Sequence, residues 1–497
     1  MQDEEVRHCY WKSSLHVGAS LQGLKDYDLL VDRAHKRALE RLLVFNDFKL
    51  TSAPRAQSLP STENWVGFDR KSGLLVHLHV HYAIYSGEGA LAEVRLPWED
   101  HLLAHSISSP HFGVQILEPA LEFVVLSVRA ALEKKYTEES GGSRKLRACY
   151  ADDLLELLGQ SRREDIAFHG LKLLGPGAGQ KLCALITGGF PQHLDRWLDL
   201  VELVEPGLHG HRRWGAVQTR MRYQWRQKSA LARAAYRKFA PDVLPTLRRE
   251  TNKLHLRERG LLIAVIGPDG AGKTTLAAEI EAWLAPHFDA QVIYFGKGDF
   301  VSSTWQALAR TKWKILGAAG IEPRTGDIGV ENVASAITPT TSDSQRPERG
   351  RRQLLSDLSR VAFANRLLRD RREASETCER GGFVITDRFP SFADKFADGP
   401  GIEVAEGDPS FRRRIARFER DCFQRLHELP PDIVFRLALP PMVAWMRKPD
   451  HRLSEIEAKA AALEKIDFGE TPMIVIDATL AADEVVREVK NHIWTLI

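Results

Sequence analysis

The residues best suited to chemistry lie in one short run, Gly267-Pro268-Asp269-Gly270-Ala271-Gly272-Lys273-Thr274. It fits the phosphate-loop pattern G-x-x-x-x-G-K-[ST]. Glycines at 267, 270 and 272 let the backbone turn tightly, so that its N–H groups converge on phosphate oxygens. Lys273 places a cation at the β/γ-phosphates, and the Thr274 hydroxyl is a ligand for Mg²⁺. The chemistry implied is binding and transfer of a phosphoryl group from a nucleoside triphosphate, with ATP and Mg²⁺ as cofactors. The phosphate-binding set read from the sequence is Gly267, Pro268, Asp269, Gly270, Ala271, Gly272, Lys273, Thr274 and Thr275.

Such a loop works only between a strand and a helix. Leu261 to Ile266 is an apolar run that reads as a buried parallel strand, and Leu276, Ile280 and Leu284 recur at helical spacing after the loop. Four further strands follow: Gln291–Phe295, Phe383–Phe389, Asp432–Leu439 and Met473–Asp477, with a closing amphipathic helix over Asp483–Leu496. Strands alternating with helices predict a parallel sheet covered on both faces. Residues 302–320 read as helical. From Pro323 to Arg352 the chain is rich in Thr, Ser, Pro and Arg without apolar period and reads as a loop; a basic helix follows.

A second set of chemically suited residues lies near the N-terminus. Asp26 and Asp28 stand two apart before the apolar run Leu29-Leu30-Val31, so on a strand they share a face. Two carboxylates so placed can hold a metal ion. Residues Trp65 to Tyr85 read as a hairpin, with a turn at Asp69–Gly73 and a strand from Leu74. That strand carries His77, His79 and His81 at alternate positions, on one face. Asp26, Asp28 and His79 are the candidate second metal site; an ordinary polar sheet face is the competing reading. Helices are expected at 97–106, 116–134, 150–160, 164–173 and 193–204, with a loop at Gly175–Gly179.

Composition bounds the rest. With 497 residues, 43% apolar and 27% charged, the chain has core enough for two or three domains. A net charge of +3 argues against nucleic acid as the partner of the whole chain. Residues 211–260 do hold fourteen Lys/Arg against three Asp/Glu, with Trp214, Tyr223 and Trp225 among them. They read as a basic connecting segment, with Pro241 and Pro245 marking a hinge. The five cysteines form no C-x-x-C pair, which fits a reducing compartment. The start lacks the apolar core of a signal peptide. Phe112 to Leu132, the most apolar stretch, is interrupted by Glu118, Glu122 and Arg129 and reads as a buried helix. The expectation is a cytoplasmic protein without membrane insertion, acting on a small-molecule phosphate acceptor, with a homodimer as a candidate assembly.

The half from about 258 onward resembles the thymidylate kinase branch of P-loop kinases. The likeness rests on Gly267-Pro-Asp269-Gly-Ala-Gly-Lys273-Thr274-Thr275, Asp387-Arg388-Phe389, Pro431-Asp432, Pro440-Pro441 and Ile476-Asp477-Ala478. The resemblance implies roles. Asp269 would face the acceptor sugar, Asp387 would act near Mg²⁺ and the acceptor oxygen, and Arg388 would hold the acceptor phosphate; Thr274 and Asp387 are the Mg²⁺ candidates. Arg447 and Arg452, with Lys448, would form a cationic lid. Lys273, Asp387, Arg388, Arg447 and Arg452 are thus the catalytic candidates. The base-recognition parts of thymidylate kinases are not matched: Phe295-Gly-Lys-Gly-Asp299 and Pro390-Ser-Phe-Ala stand where those enzymes carry other motifs.

The N-terminal part resembles the nucleotidyltransferase-like superfamily through Asp26-Tyr27-Asp28 and the later strand. Histidines stand where members carry a third carboxylate, and Gly18-Ala19-Ser20 sits unusually close to the Asp pair. The expected organisation is an α+β nucleotidyltransferase-like domain over 1–135, a helical extension and basic linker over 136–250, and an α/β P-loop kinase domain with a five-stranded parallel sheet over 255–497. The functional expectation is an ATP-dependent kinase for a nucleotide, nucleoside or sugar phosphate. The alternative is an ATP-binding switch or scaffold with a degenerate nucleotidyltransferase domain.

Overall fold

The computed structural model describes residues 6–54, 58–87, 91–139, 144–190, 253–296, 346–390, 399–449 and 452–497, with short pieces between 200 and 229. The chain divides into two compact units. The first is Met1–Glu258 with Pro286–Asp289 and Trp494–Ile497; the second is Arg259–Ala285 with Ala290–Ile493.

The first unit is built on a mixed sheet. Its strands are β1 (His8–Tyr10), β2 (Tyr27–Val31), β3 (Lys49–Ser52), β4 (Thr62–Asp69) and β5 (Leu74–His81). A separate two-stranded ribbon pairs β6 (Ile84–Ser86) with β7 (Val94–Leu96). The large sheet is completed by β8 (Ser106–Ser108), β9 (Gln115–Leu117) and β10 (His255–Leu256), in the order β10-β3-β4-β5-β2-β1-β9-β8. The expected hairpin is the β4–β5 pair. The parallel neighbour of β5 is β2, in a register that sets Asp28 beside His79. Alternation decides the faces. Tyr27, Leu29, Val31, Leu78 and Val80 pack with Leu39 and Leu43 of helix α2 (Lys36–Phe45), which follows the short α1 (Val17–Leu21). Asp28 and the three histidines therefore point to the opposite face.

That opposite side carries helices: α3 (Glu99–Ala104), α4 (Pro119–Glu139), α5 (Arg144–Gln160), α6 (Arg163–Leu174) and α7 (Pro176–Thr187). The α4 residues Leu121, Phe123, Val124, Val125, Leu126 and Val128 are all buried, so this helix is enclosed on every side. Two expectations are corrected here. The buried helix begins at Pro119, because β9 and its turn occupy the residues before it. The loop expected at Gly175–Gly179 is the start of α7. Pro176 at the first helical position loses no hydrogen bond, since that N–H has no partner in any helix. Gly179 serves close packing: a Cβ there would lie 2.6 Å from the Leu171 backbone of α6.

The second unit is an α/β layer structure. Its strands are β11 (Leu262–Ile266), β12 (Ala290–Tyr294), β13 (Phe383–Asp387), β14 (Ile433–Ala438) and β15 (Met473–Asp477). They form a five-stranded sheet in the order β12-β13-β11-β14-β15, with every pairing parallel. All residues of β11 and β13 are buried, as expected of parallel strands covered on both faces. Helices α8 (Lys273–Leu284), α9 (Arg346–Glu379), α10 (Ser410–His427), α11 (Pro441–Arg447), α12 (Leu453–Glu464) and α13 (Ala482–Leu496) complete the unit. The chain starts in the middle of the sheet, leaves to one edge, returns to β13 and then crosses β11 to β14. This reversal makes the carboxyl end of β11 a topological switch point, where open α/β sheets bind their ligands. Helix α9 begins at Arg346, earlier than the loop expected to Arg352. Residues 346–352, four arginines and Glu348 among them, are good helix formers apart from Pro347 and Gly350. The expected helices at 193–204 and 302–320, the Pro323–Arg352 loop up to residue 345, the Lys297–Asp299 and Ser391–Asp398 segments, Tyr223, and the Pro241–Pro245 hinge lie outside the described residues, apart from isolated positions near 200.

Candidate functional site

The phosphate loop leaves the carboxyl end of β11 and enters α8 at Lys273. Gly270 has φ +85°, and a Cβ there would approach the Ala444 carbonyl to 2.9 Å, so only glycine fits. Gly272 caps α8 with φ +87°, a left-handed conformation. Within the loop Ala271 N–H donates to the Pro268 carbonyl. The first N–H groups of α8 have no intrahelical acceptor and stand at the positive end of the helix dipole. The loop is thus shaped to receive an anion.

The Lys273 ammonium is buried and donates to the Pro268 carbonyl at 2.8 Å. Burial lowers its pKa to about 8, against the nearby Asp269 charge. Thr274 donates its hydroxyl to Asp387 Oδ2 at 2.5 Å. Asp387 ends β13 and lies beside Val265 in the β11–β13 register, so sheet pairing alone delivers it to the loop. Asp387 Oδ1 is buried and has no hydrogen-bond partner among the described residues. A buried carboxylate oxygen without a donor, next to a threonine hydroxyl, fits a hard cation with oxygen ligands. Mg²⁺ is therefore compatible with this pair.

Asp269 is the hub of the cations. Arg388 donates to its Oδ1 at 2.9 Å and Lys459 to its Oδ2 at 2.9 Å, with Lys273 at 3.5 Å. Burial alone would raise the Asp269 pKa, but Lys459 first, then Lys273 and Arg388, outweigh it and hold the carboxyl well below its usual range. Arg388 adopts φ +73°, a left-handed backbone unusual for a bulky residue. Its guanidinium lies over the Tyr294 ring, 5.9 Å from the centroid. Strain of this kind persists where the surroundings fix it, and it clusters at functional sites.

Of the expected lid, Arg447 donates to the Ala478 carbonyl at 3.1 Å and is exposed, and Arg452 is exposed ahead of α12. Neither hydrogen-bonds or ion-pairs with the loop among the described residues. The cation that does reach it, Lys459, escaped sequence reasoning. It stands in an otherwise featureless run, Ala458-Lys459-Ala460-Ala461-Ala462, whose only signal is a lone charge among alanines.

In the first unit the two aspartates and three histidines do converge. His77 Nδ1 lies 2.7 Å from Asp26 Oδ1, and its Nε2 lies 3.0 Å from Asn64 Oδ1. His79 Nδ1 and His81 Nε2 each lie 3.1 Å from Asp28 Oδ1. Lys12 Nζ approaches the same oxygen at 2.5 Å. Burial of Asp28 opposes its charge, but Lys12, His79 and His81 together keep it ionised well below the ordinary carboxylate range. The sequence set the three histidines on one face and named Asp26, Asp28 and His79 as the candidate site; the structure pairs Asp26 with His77 and groups His79, His81 and Lys12 on Asp28.

No family model matches the chain. It is 26% identical over 239 residues to the uncharacterized ATP-binding protein YghR of Escherichia coli K12, covering 47% of this chain and 86% of that protein. It is also 26% identical over 230 residues to the uncharacterized ATP-binding protein YghS of the same strain, covering 46% of this chain and 89% of that one. Among solved structures, a deoxyadenosine kinase from M. mycoides with bound dCTP aligns over 47% of this chain and 100% of its own, at 16% identity and a TM-score of 0.25. A score that low carries no weight for this chain. Over about half its length, then, the chain is a distant homologue of proteins described as ATP-binding.

Proposed function

We propose that the second unit is an ATP- and Mg²⁺-dependent phosphotransferase of the thymidylate kinase-like class, acting on a nucleotide, nucleoside or sugar phosphate. The observation that carries this reading is the Thr274–Asp387 pair, with its unpartnered buried oxygen, set against a phosphate loop that holds Lys273. The chemistry needs positioning and charge stabilisation more than covalent help from the protein. The loop N–H groups and Lys273 would bind the β- and γ-phosphates. Thr274 and Asp387 would hold Mg²⁺, which supplies positive charge at the transferring group. Arg388 would turn from Asp269 to the acceptor, and Asp269 would accept an acceptor hydroxyl. The Arg447 and Arg452 roles belong to a closed arrangement in which α11 and the start of α12 move toward the loop.

The test is ADP release from ATP with the purified full chain and a panel of nucleoside monophosphates, nucleosides and sugar phosphates, with Lys273→Ala as the blank. Acceptor-dependent ADP release that vanishes in the blank supports the reading. ATP binding without turnover on any acceptor refutes it in favour of a switch. One observation favours that second reading: Asp269, the expected acceptor contact, is already taken by Arg388 and Lys459.

For the first unit we propose a nucleotidyltransferase-like domain that has lost nucleotidyl transfer, because histidines stand where a third carboxylate is required. Labelled nucleotide appearing on a protein or sugar, and lost with Asp26→Ala plus Asp28→Ala, would overturn that.

A further inference from the structure

Asp28, His79 and His81 bring one carboxylate oxygen and two imidazole nitrogens together on the inner face of the first unit's sheet. The ligand atoms lie within 4.8 Å of one another. Both nitrogens stand 3.1 Å from Asp28 Oδ1. Ligands bonded to one ion at ~2.0–2.2 Å in a tetrahedron are separated by roughly 3.3 Å, so the spacing is close to that of an assembled site. The construction is backbone-determined. His79 and His81 share a face at i and i+2, and the parallel β2–β5 register places Asp28 beside His79. The site is also held in advance: His81 is almost fully buried, with its ring set edge-on to Trp11 at 5.1 Å.

His77 is excluded from the set, since its two nitrogens face Asp26 and Asn64. A site of two imidazoles and one carboxylate differs from the oxygen-rich sites of Mg²⁺ and Ca²⁺ and suits first-row transition ions. Asp28 and Lys12 line a cleft of about 660 Å³, together with Ser13, His16 and Lys25. Three protein ligands would leave further coordination positions open toward that cleft.

We propose that Asp28, His79 and His81 form a binding site for one divalent transition-metal ion of the Zn²⁺/Co²⁺ type. Lys12 is the built-in competitor. Its ammonium lies 2.5 Å from the carboxylate oxygen that the ion needs, so metal entry displaces it toward the cleft. Removal of the lysine charge therefore tightens metal binding, an effect that a purely structural hydrogen-bonded cluster does not produce.

The experiment uses the full chain, freed of metal with a chelator and then titrated with Co²⁺, followed by visible absorption and by isothermal calorimetry, with Zn²⁺ as competitor and Mg²⁺ as comparison. The expected result is one equivalent of Co²⁺ with imidazole-type absorption, displaced by Zn²⁺ and not by equimolar Mg²⁺. His79→Gln weakens it by at least about tenfold. Lys12→Met strengthens it by about tenfold through loss of a neighbouring positive charge. Absence of uptake by both the native chain and Lys12→Met overturns the proposal. So does uptake that survives His79→Gln, or uptake abolished by Asp387→Asn, which would place the ion in the second unit. If His79→Gln does not fold, Lys12→Met decides alone, and unchanged affinity there overturns the proposal.

Discussion

The phosphate loop and the histidine strand solve one problem in two ways. Each holds a carboxylate beside a lysine, at 3.5 Å for Asp269–Lys273 and 2.5 Å for Asp28–Lys12. In the loop the participants lie mostly in one contiguous run, joined by Asp387 at the end of β13, Arg388 just after it and Lys459 of α12. Around Asp28 they come from three separated segments, near residues 12, 28 and 79–81, joined only by strand pairing. Their partnering differs too. Asp387 keeps one buried oxygen without a donor, whereas Asp28 Oδ1 has three basic nitrogens against it. The first arrangement is unfinished without a ligand. The second is already satisfied, and a ligand there must compete with what is present.

The sharpest way to break this contrast is Lys273→Ala. If the loop is unfinished in the sense argued here, ATP turnover falls by at least ~10²-fold, the scale of removing one preorganised charge from a transferring group. Steady-state ADP release measures it, and retention of turnover would put the loop in the same structural class as the Asp28 cluster. A pH profile sharpens the same point without mutation. Burial brings the Lys273 pKa to about 8, and only the protonated ammonium attracts phosphate. ATP affinity should therefore hold below that pH and fall by up to about tenfold per unit above it, since each unit then removes tenfold of the charged form. Calorimetric ATP titrations from pH 7 to pH 9.5 measure the slope. A flat profile would mean that Lys273 is charged throughout.

How far each region could be read from sequence follows from the same difference. The loop and the five strands were legible because a contiguous pattern and apolar runs of parallel strands are local signals, whereas Asp387 was singled out only through the resemblance to P-loop kinases. His77, His79 and His81 were legible as a face, and Asp26, Asp28 and His79 as a candidate site, but the pairing of each aspartate was not, because strand alternation does not say which neighbour lies opposite. Lys459 was not legible, since a helix surface cation becomes functional only through where the helix packs. Helix α7 was misread because Pro176 and Gly179 are loop residues by type; Pro176 sits at the one turn where it costs nothing, and Gly179 lets α6 approach. Short strands such as β1, β8 and β10 have two or three residues, too few to show a period.

Lys459 gives a test of intermediate size. Its ammonium is one of three cations on Asp269. Lys459→Met should reduce kcat/KM for the acceptor by about tenfold, the scale of one charge-assisted hydrogen bond at ~1.5 kcal/mol, with the KM for ATP nearly unchanged. If the ATP KM moves and the acceptor term does not, Asp269 belongs to the nucleotide side of the site.

The smallest effect concerns a carboxylate that, unlike Asp269, is buried with desolvation outweighing the charges near it, Arg129 among them. Glu122 on α4 is 1% exposed and accepts the Ser14 N–H at 2.8 Å, behind the segment that carries Lys12. Burial pushes its pKa up to about 7, and the Ser14 hydrogen bond only partly offsets this. The folded state therefore binds this proton more tightly than the unfolded chain does. Below the unfolded value of ~4.5 both states are protonated and the contribution is complete; as pH rises through 7 the folded state must ionise too, and the contribution is lost. The change is bounded at ~3 kcal/mol. Glu122→Gln keeps the shape and an acceptor while removing the titration, so its stability should match the native chain near pH 4.5 and exceed it near pH 8. Urea unfolding at the two pH values measures the difference. Equal stability at both would mean that the Glu122 charge is already compensated, as that of Asp269 is, and burial would then cease to separate the two carboxylates.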